Sequence, residues 1–319
     1  MSGFWSTWHR DIARGGALFG GVLAVGFLAH YMVVRVRERV TTELPGALRN
    51  LRDNLRDNLD EPAAPGDPAH GGARALTARW RYSAKLGPKQ WVWIHNSNGS
   101  VHVMPAKGDS LEVTAVKSSH RSDVAGVQVV AVPYDGGVAI CAVTAGSEAP
   151  CEPGVDFKTG ALHKDVAVDF TVHVPRGVAV GATSVNGGVH VIGVSAPIRA
   201  VTVNGDVDAE TAAGPVEAVS VNGSVRAQLH GFADTGAVKL VTVNGSVTAE
   251  LPGHLDADVE ATAVTGSIQS DYPLTATGRL IGHKLTGTLG SGGRSVSLHT
   301  VNGSITLKKL SQGAAAPGK

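Results

Sequence analysis

The most regular feature of the chain is an alternation of apolar and polar residues around a recurring Asn-Gly pair. Stretches such as AVTVNGDVDAE, LVTVNGSVTAE and LHTVNGSITLK carry apolar residues at every second position on both sides of the pair. A period of two is typical of β-strands with one buried face. The repeat turns are Asn98 with Gly99, Asn186 with Gly187, Asn204 with Gly205, Asn222 with Gly223, Asn244 with Gly245, and Asn302 with Gly303.

Degenerate copies at Thr265–Gly266 and Thr286–Gly287 extend the series, and successive glycines from Gly187 to Gly303 are 18, 18, 22, 21, 21 and 16 residues apart. Asn-Gly between strands is a strong hairpin signal. Tandem repetition near 20 residues instead favours solenoid coils that stack on one another, with each pair at a corner and the Asn side chains in a hydrogen-bonded ladder. The predicted fold class is all-β, a β-solenoid, with an antiparallel meander as the alternative.

The alternation also predicts which side chains are buried. Valines recur at the same two positions before each Asn-Gly pair, and we expect them to form the core. They are Val201, Val203, Val219, Val221, Val241 and Val243.

Near the N-terminus, Gly15–Val34 is a run of 20 residues without Asp, Glu, Lys or Arg. A helix of that length spans roughly 30 Å, which is the thickness of a bilayer core. The run exceeds a signal-peptide core and lacks a clear cleavage site, so the sequence predicts an uncleaved membrane anchor. A cleaved signal and a buried core helix are the alternatives. Within it, Gly16, Gly20 and Ala24 share one helix face, a spacing that favours homo-oligomers of membrane helices.

The orientation of this anchor depends on conflicting signals. More basic residues follow the span than precede it, which favours a cytoplasmic C-terminal side. Long domains translocate largely regardless of that count, however, and the cysteines described below favour an oxidising compartment. We therefore expect a single-pass protein of the inner or plasma membrane, with its C-terminal domain periplasmic or extracellular.

A leucine stripe and a linker follow the anchor. Spacings of four, three, four and four residues predict an amphipathic helix, either a short coiled coil or a helix on the membrane surface. Prolines then mark a semi-extended linker. The leucines are Leu44, Leu48, Leu51, Leu55 and Leu59. The predicted organisation is a tail at 1–14, a transmembrane helix at 15–34, a juxtamembrane helix at 35–60, a linker at 61–75, a β-repeat domain at 76–310 and a tail at 311–319.

Composition narrows the function classes. The chain is 43% hydrophobic and 17% charged, with a net charge of +1, which excludes general disorder and gives no electrostatic footprint for nucleic acid. The nucleotide-binding and hydrolase motifs that we sought are missing from the sequence. We therefore expect no catalytic residue, cofactor or metal site, and no nucleic-acid partner.

Three sets of polar residues are candidates for a metal site or a catalytic site. His102 and His190 each lie three residues after an Asn-Gly glycine, so they share a repeat position. They belong either to a polar strand face or to a row of metal ligands. Two acidic triplets alternate along strands, as solvated faces or as Ca²⁺ ligands, and paired carboxylates also occur in glycosidases. The triplets are Asp206, Asp208 and Glu210, and Asp256, Asp258 and Glu260.

The two cysteines, Cys141 and Cys151, lie in a section without Asn-Gly pairs, at about residues 104–183. They bracket a loop rich in turn residues, and their spacing suits a local disulfide in an oxidising compartment. Two free buried thiols are the alternative. Neither cysteine belongs to a Cys-x-x-Cys pair, which argues against zinc.

The segment WVWIHNSNGSVHVMPAKGDSLEVTAVKSS, followed by VNGSV units, resembles the bacterial putative-adhesin or toast-rack family over roughly residues 76–310. The resemblance implies a β-strand-repeat domain, frequently attached to a membrane anchor, and transfers no catalytic residue. The expected function is a membrane-anchored, non-enzymatic binding, adhesion or scaffolding module of the cell envelope, with an envelope protein or a glycan as partner. The alternatives are an envelope-stress accessory protein and a β-helical enzyme acting on polysaccharides.

Overall fold

The structure, a computed structural model, describes residues 76–147, 151–155, 165–212, 214–232, 236–277 and 283–310. These residues belong to one of the two units of the chain, Gly46–Lys319. The predicted membrane span, the leucine stripe, the linker and the C-terminal tail lie outside the described residues. Within the described part of the chain, no helix is long and apolar enough to cross a membrane.

The described residues form an all-β domain with a single short 3₁₀ helix, Val124–Gly126. The strands are β1 (Thr77–Lys85), β2 (Trp91–His95), β3 (Val101–Pro105), β4 (Ser110–Ser119), β5 (Val127–Tyr134), β6 (Gly137–Thr144), β7 (Val166–Val174), β8 (Ala179–Asn186), β9 (Val189–Val194), β10 (Ile198–Asn204), β11 (Val207–Thr211), β12 (Val216–Asn222), β13 (Val225–Leu229), β14 (Val238–Asn244), β15 (Val247–Leu251), β16 (Ala257–Thr265), β17 (Ile268–Ser270), β18 (Thr275–Thr277), β19 (His283–Leu289), β20 (Ser295–Asn302) and β21 (Ile305–Lys309).

The strands form two sheets. Sheet A has the order β1-β4-β7-β3-β9-β11-β13-β15-β21-β17, and sheet B has the order β18-β19-β16-β20-β14-β12-β10-β8-β2-β6-β5. Each complete repeat contributes one strand to sheet B, turns at its Asn-Gly pair and continues as a strand of sheet A. Equivalent strands of successive repeats pair in parallel and in register, as for β10, β12 and β14. The predicted β-solenoid is therefore confirmed, and the hairpin alternative is wrong.

The order of coils along the stack differs from their order in the sequence. The last coil, β20–β21, lies between β14–β15 and β16–β17. At the other end, the first coil, β2–β3, lies between β6–β7 and β8–β9. Antiparallel strands complete both ends, so the section without Asn-Gly pairs builds one end of the stack. The degenerate pair Thr286–Gly287 is not a corner, because both residues lie within the antiparallel strand β19.

The core lies between the two sheets and is built from aliphatic side chains that recur at the same repeat positions. Sheet A contributes Val207, Val225, Val247 and Ile305, which are register neighbours. Sheet B contributes Ile198, Val216, Val238 and Val296. All eight side chains are fully or almost fully buried in one hydrophobic cluster. Such short aliphatic side chains fit the narrow space of a two-sheet coil, which accounts for the low aromatic content.

The strands before the corners face the opposite way from the sequence prediction. In β10, Ile198 and Ala200 enter the core, and buried Thr202 donates a 2.8 Å hydrogen bond to the carbonyl of Gly187. Val201 and Val203 therefore lie on the outer face of sheet B, and Val203 packs in a separate small cluster. The predicted core valines are thus not part of the main core, although several of them are buried.

The strands face this way because the Thr or Ser two residues before each corner asparagine is buried and hydrogen-bonded inside the coil. Its hydroxyl donates to the carbonyl of the corner glycine in the adjacent coil, at 2.7–2.9 Å in four successive coils. A buried hydroxyl is tolerated inside a protein when it is hydrogen-bonded. The donors are Thr202, Ser220, Thr242 and Thr300.

The corners carry the predicted asparagine ladder. From Asn186 onward, each side-chain amide donates a 2.8 Å hydrogen bond to the side-chain carbonyl of the asparagine in the preceding coil. The ladder runs from Asn98 through Asn186, Asn204, Asn222 and Asn244 to Asn302. Thr265 ends it, with its hydroxyl 3.2 Å from the Asn302 carbonyl oxygen.

The glycine of each corner is required by stacking. A Cβ at Gly205 would collide with the carbonyl group of Gly187, and a Cβ at Gly223 would collide with that of Gly205. The same holds for Gly99, Gly187, Gly245 and Gly303, each against the backbone of its neighbour. A side chain at any of these corner glycines would therefore force neighbouring coils apart.

Candidate binding groove

A groove lies on the outer face of sheet B, where three successive strands begin. Pro197, Pro215 and Ala237 precede β10, β12 and β14, and they give the groove a mainly apolar floor of short side chains. Proline is tolerated there because the first residue of a strand can lack a ladder hydrogen bond. The cavity has a volume of about 320 Å³. Its position on three adjacent coils follows directly from the repeat.

A row of alternating charges borders the groove. Arg199, Glu217 and Lys239 are register neighbours on β10, β12 and β14. The Arg199 Nε atom lies 3.6 Å from Glu217 Oε2, and the Lys239 Nζ atom lies 4.0 Å from Glu217 Oε1. Two cations share one carboxylate, so the row has a net positive charge.

An aromatic side chain closes one end of the groove. Trp91 begins a ladder along the outer face of β2, with ring centroids 5.0 Å from Trp91 to Trp93 and 6.2 Å from Trp93 to His95. The guanidinium of Arg199 lies 5.6 Å from the Trp91 ring centroid, within range of a cation–π contact. Trp93 fits because residue 181 is glycine, and a Cβ there would enter the indole ring. The Trp91 side chain that forms this wall is therefore held in place by stacking on Trp93 and by the contact with Arg199.

His95, at the inner end of this ladder, is a buried structural residue. Its Nε2 atom lies 3.0 Å from the Glu152 carbonyl oxygen, which can only accept, so Nε2 carries the proton. Its Nδ1 atom then accepts from the Thr183 hydroxyl at 2.8 Å. Burial lowers the pKa of His95 from 6.5 to about 4, and the hydrogen bond to Glu152 opposes this only in part. The imidazole is therefore neutral at physiological pH.

The cysteines lie next to this histidine. Cys141 is the register neighbour of His95 on β6, and it is joined to Cys151 by a disulfide with a Cα–Cα distance of 5.8 Å. The bond brings Cys151 and Glu152 over the outer face of sheet B. The Cys141–Cys151 pair thus fixes the chain segment whose carbonyl accepts from His95.

The histidines that share a repeat position come together on the outer face of sheet A. The rings of His102 and His190 stack with centroids 4.9 Å apart, and His190 Nδ1 lies 2.7 Å from the Asp208 carboxylate. Burial lowers the pKa of His102, and the charge of His190 lowers it further. Within the described ranges, no group of three or more His, Cys, Asp or Glu side chains has the geometry of a metal site.

The two acidic triplets lie on different sheets and are engaged separately. Asp206 accepts from the Ser224 backbone N–H, and Glu210 lies 3.2 Å from His230. In the second triplet, the backbone N–H groups of Ser291 and Gly293 lower the pKa values of Asp256 and Asp258. Glu260 forms an ion pair of 3.0 Å with Lys284. These carboxylates stabilise turns and strand rows, and the groove does not include them.

Residues 169–308 match the family model described as Toastrack DUF4097. This part of the chain is therefore similar to the Toastrack family. The groove and the central coils of the stack lie within the matched part, apart from Trp91. No curated protein matches the chain.

Two solved structures are similar to this chain at low sequence identity. A putative cell adhesion protein from Clostridium sporogenes has a TM-score of 0.41 and 12% identity, over 73% of this chain and 100% of that chain. A putative adhesin from Bacteroides fragilis has a TM-score of 0.29 and 11% identity, over 73% of this chain and 97% of that chain.

Sequence reasoning missed the groove, although a signal for it exists. Arg199, Glu217 and Lys239 each lie five residues before the asparagine of their repeat. Charges of alternating sign at one repeat position predict an ion-pair row across parallel, in-register strands. Trp91 joins this row through the outlying repeat copy, and only the permuted stacking order shows that its coil lies near β10.

Proposed function

We propose that the β-repeat domain is a non-enzymatic binding module of the cell envelope, and that the outer groove of sheet B holds its partner. The observation that carries the proposal is the combination of an apolar floor, a tryptophan wall and a charged row on three adjacent coils. Binding sites are typically concave and mostly apolar, with a few polar groups that fix orientation, and their volumes start at about 300 Å³. The groove has these properties.

The chemistry of the groove favours an extended protein segment as partner. The floor of Pro197, Pro215 and Ala237 suits an apolar side chain, and the net positive row suits a neighbouring carboxylate. Sugars bind tryptophan by stacking on a ring face, but the Trp91 ring already contacts Trp93 and Arg199. An acidic segment of an envelope protein is therefore the better fit than a glycan.

The anchor predicted from the sequence places this binding module at the membrane in our proposal. The predicted anchor Gly15–Val34 holds the module at the membrane, and the linker at 61–75 sets its reach. An adhesin, a scaffold and an envelope-stress accessory protein would all use such an arrangement. They differ in the partner, which is the quantity to measure.

The test uses the full chain in its native membranes, with proximity cross-linking and quantitative mass spectrometry of the captured proteins. Ala237→Arg fills the groove floor, and Thr248→Arg adds the same charge to the outer face of sheet A as a matched control. We expect Ala237→Arg to capture at least one envelope protein roughly tenfold less than the unmodified chain does, which is a loss of about 1.4 kcal/mol in binding. The Thr248→Arg control should capture that protein as well as the unmodified chain. Equal capture by both variants would show that the groove is not the binding site.

A second arm addresses the enzymatic alternative. The same chain is assayed against a panel of envelope polysaccharides, beside Asp206→Asn and Asp256→Asn. We expect no turnover by any of the three proteins. Turnover that disappears in either variant would replace the binding module by a polysaccharide-acting enzyme.

A further inference from the structure

At the end of the stack built by the section without Asn-Gly pairs, the two sheets differ in length. Beyond β3, sheet A continues with β7, β4 and β1, whereas beyond β2, sheet B continues only with β6 and β5. The last strands that face each other are therefore β4 and β5. Among the described strands, none lies opposite β1, which extends past this layer by one strand. We call β1 and the free edge of β5 the terminal step.

The inner face of β1 carries aromatic side chains that are covered only in part. Trp80 and Tyr82 pack against the main core with their ring centroids 5.9 Å apart, yet both stay partly exposed. At the other end of the stack, β19 and β18 extend sheet B beyond β17. There Tyr272 and Leu285 are 6% and 8% exposed, and the Tyr272 hydroxyl donates to the Pro252 carbonyl at 2.8 Å. Of the two ends in the described part of the chain, the terminal step is thus the one with an incompletely covered core.

β1 has a free edge whose hydrogen-bonding groups belong to residues of its outer face. The Ser119 N–H donates to the carbonyl of Leu76, the residue opposite it in the register of β1 and β4. Opposite residues of antiparallel strands alternate between bonded and non-bonded pairs. The even-numbered residues of β1 therefore bond to β4. Odd-numbered residues such as Arg81 and Ser83 direct their N–H and C=O groups to the free edge, and their side chains are exposed on the outer face.

The free edge of β5 is formed instead by residues whose side chains point inward. The Ala145 N–H donates to the carbonyl of Gly126, which lies opposite it, so the even-numbered residues of β5 bond to β6. Val129 and Ala131 thus direct their N–H and C=O groups to the free edge. The Val129 side chain belongs to the main core, and the Ala131 side chain packs against it.

These two edges can pair with each other in one orientation only. In an antiparallel pair, bonded residues lie directly opposite and share a face, which would join the outer face of β1 to the core face of β5. In a parallel pair, each residue bonds to the two neighbours of the residue opposite it. Arg81 would then lie beside Val130, which also faces outward, and would bond to Val129 and Ala131. The parallel pair therefore keeps the core faces of both strands continuous.

We infer that the terminal step is a dimer interface, in which a second copy of this chain, the partner subunit, contributes the same step. β1 runs in the direction of β3, β5 runs opposite to β2, and the chain reverses between β2 and β3 at the Asn98–Gly99 corner. β1 and β5 therefore run in the same direction. A two-fold axis parallel to the strands places β1 of each subunit beside β5 of the other, in the parallel orientation that the edges require. Each β1 fills the gap in the other subunit, and Trp80 and Tyr82 of both subunits meet at the axis.

The same axis determines which residues are neighbours, because rotation about the strand direction leaves positions along the strands unchanged. Across sheet A, Arg81 is level with His102. Across sheet B, Val130 is level with His95. His95 lies three residues before the Asn98–Gly99 corner, and His102 lies three residues after it. Arg81 therefore lies beside Val130 of the partner subunit, which is the pairing that the two free edges allow.

Other symmetric contacts between two copies of this end are less favourable. Pairing of β1 with β1 would bring Arg79 and Arg81 of both subunits together, and like charges on adjacent strands are destabilising. It would also leave the positions beside both β5 strands empty. Pairing of β5 with β5 would place β1 of each subunit in the space of the other subunit's β4. The shape of the step thus selects the contact between β1 and β5.

The test is a disulfide between subunits of the full chain in its native membranes. Ser83 and Val132 lie two residues after Arg81 and Val130, and both are exposed. They are neighbours in the dimer, whereas within one chain they lie on the outer faces of different sheets. Ser83→Cys with Val132→Cys is oxidised mildly and analysed by peptide mass spectrometry. The matched control is Ser83→Cys with Gln128→Cys, since Gln128 is exposed on the same face of β5, about 13 Å farther along the strand.

We expect a dimer linked between positions 83 and 132, with a yield several times that of the control pair. Ala131→Pro in the same background removes an N–H group from the free edge of β5, and we expect it to lower the yield roughly tenfold in a domain that circular dichroism shows to be folded. Links between two copies of position 83, or two copies of position 132, would show a different pairing and overturn the inference. Equal yields in the matched and control pairs, which contact through the predicted membrane anchor alone would give, or the lack of a linked dimer, would overturn it as well.

Discussion

The side-chain amide of Asn302 donates a 2.8 Å hydrogen bond to Asn244, although 58 residues separate the two in the sequence. The coil that ends at Asn302 is therefore inserted into the stack beside the coil that ends at Asn244. The intervening coil, β16–β17, lies beyond it and contacts the rest of the stack through β20 and β21. The C-terminal repeat is an internal part of the solenoid.

This arrangement predicts the effect of truncation. Deleting residues 295–319 removes β20 and β21 and leaves β16 and β17 without their parallel neighbours. Because coils of a solenoid are stabilised by their interfaces with adjacent coils, we expect loss of a single cooperative thermal transition. Deleting residues 311–319 alone is the control and should leave the transition unchanged. A small uniform shift for the longer deletion would argue for stacking in sequence order.

The corner glycines give a second prediction. In Gly223→Ala, the new Cβ meets the carbonyl group of Gly205, and the backbone must shift. Overpacking of this kind costs about 1–3 kcal/mol. Gly253→Ala is the matched control, because nothing lies within 4 Å of its Cβ position. Chemical denaturation of the two variants should differ by that amount, and equal stabilities would mean that the corner is not tightly stacked.

The fold was largely accessible to sequence reasoning because the repeat encodes it redundantly. Six Asn-Gly pairs with the same flanking alternation distinguish a parallel stack from a set of hairpins. The order of coils was not accessible, because equivalent positions such as Asn244 and Asn302 look the same in every copy. Thr265 offered a clue, since a copy without asparagine is best placed at the end of the ladder.

The direction of the side chains was wrong for a physical reason. Alternation shows which residues share a face, but it does not show which of the two faces is inside. Placing Val201 and Val203 in the core puts Thr202 on the opposite, outer face, whereas its hydroxyl satisfies a corner carbonyl inside the coil. Sheet B thus has apolar valines outside and hydroxyls inside before each corner, so hydrophobicity alone selects the wrong face.

Two substitutions test which face of each strand points into the core. Val225 is fully buried between the sheets, and Val225→Asp places a charge in an apolar core, which we expect to cost about 4 kcal/mol or more. Val221 lies on the outer face and is half-buried, so Val221→Asp should cost about 1–2 kcal/mol. Urea denaturation of both variants checks the ranking. A larger loss for Val221→Asp would restore the original assignment of the faces.

His95 predicts a pH dependence of stability. Its folded-state pKa of about 4 lies below its ordinary value of 6.5, because burial penalises the charged form. The neutral form therefore contributes stability that is fully present above pH 6.5 and is lost as the pH falls to about 4. A shift of this size corresponds to about 3 kcal/mol.

The measurement is the free energy of unfolding between pH 7 and pH 4. We expect His95→Gln, which does not titrate, to show a flatter slope over this window than the parent. The carboxyl groups of Asp256 and Asp258 have lowered pKa values and titrate below the window, so they do not mask the effect. The same slope in both proteins would exclude His95 as the cause.

The last prediction joins the disulfide to the location of the domain. If residues 76–310 lie outside the cytoplasm, Cys141 and Cys151 should be bonded in protein isolated from native membranes, and alkylation without reduction should label neither. Cys141→Ser with Cys151→Ser should lose about 2–3 kcal/mol of stability, because the bond closes a short loop and holds the partner of His95. Alkaline phosphatase fused after residue 310 should be active, since that enzyme needs an oxidising compartment. An active cytosolic reporter at the same position, together with two cysteines that alkylate without reduction, would place the domain on the cytoplasmic side and make the disulfide irrelevant in the cell.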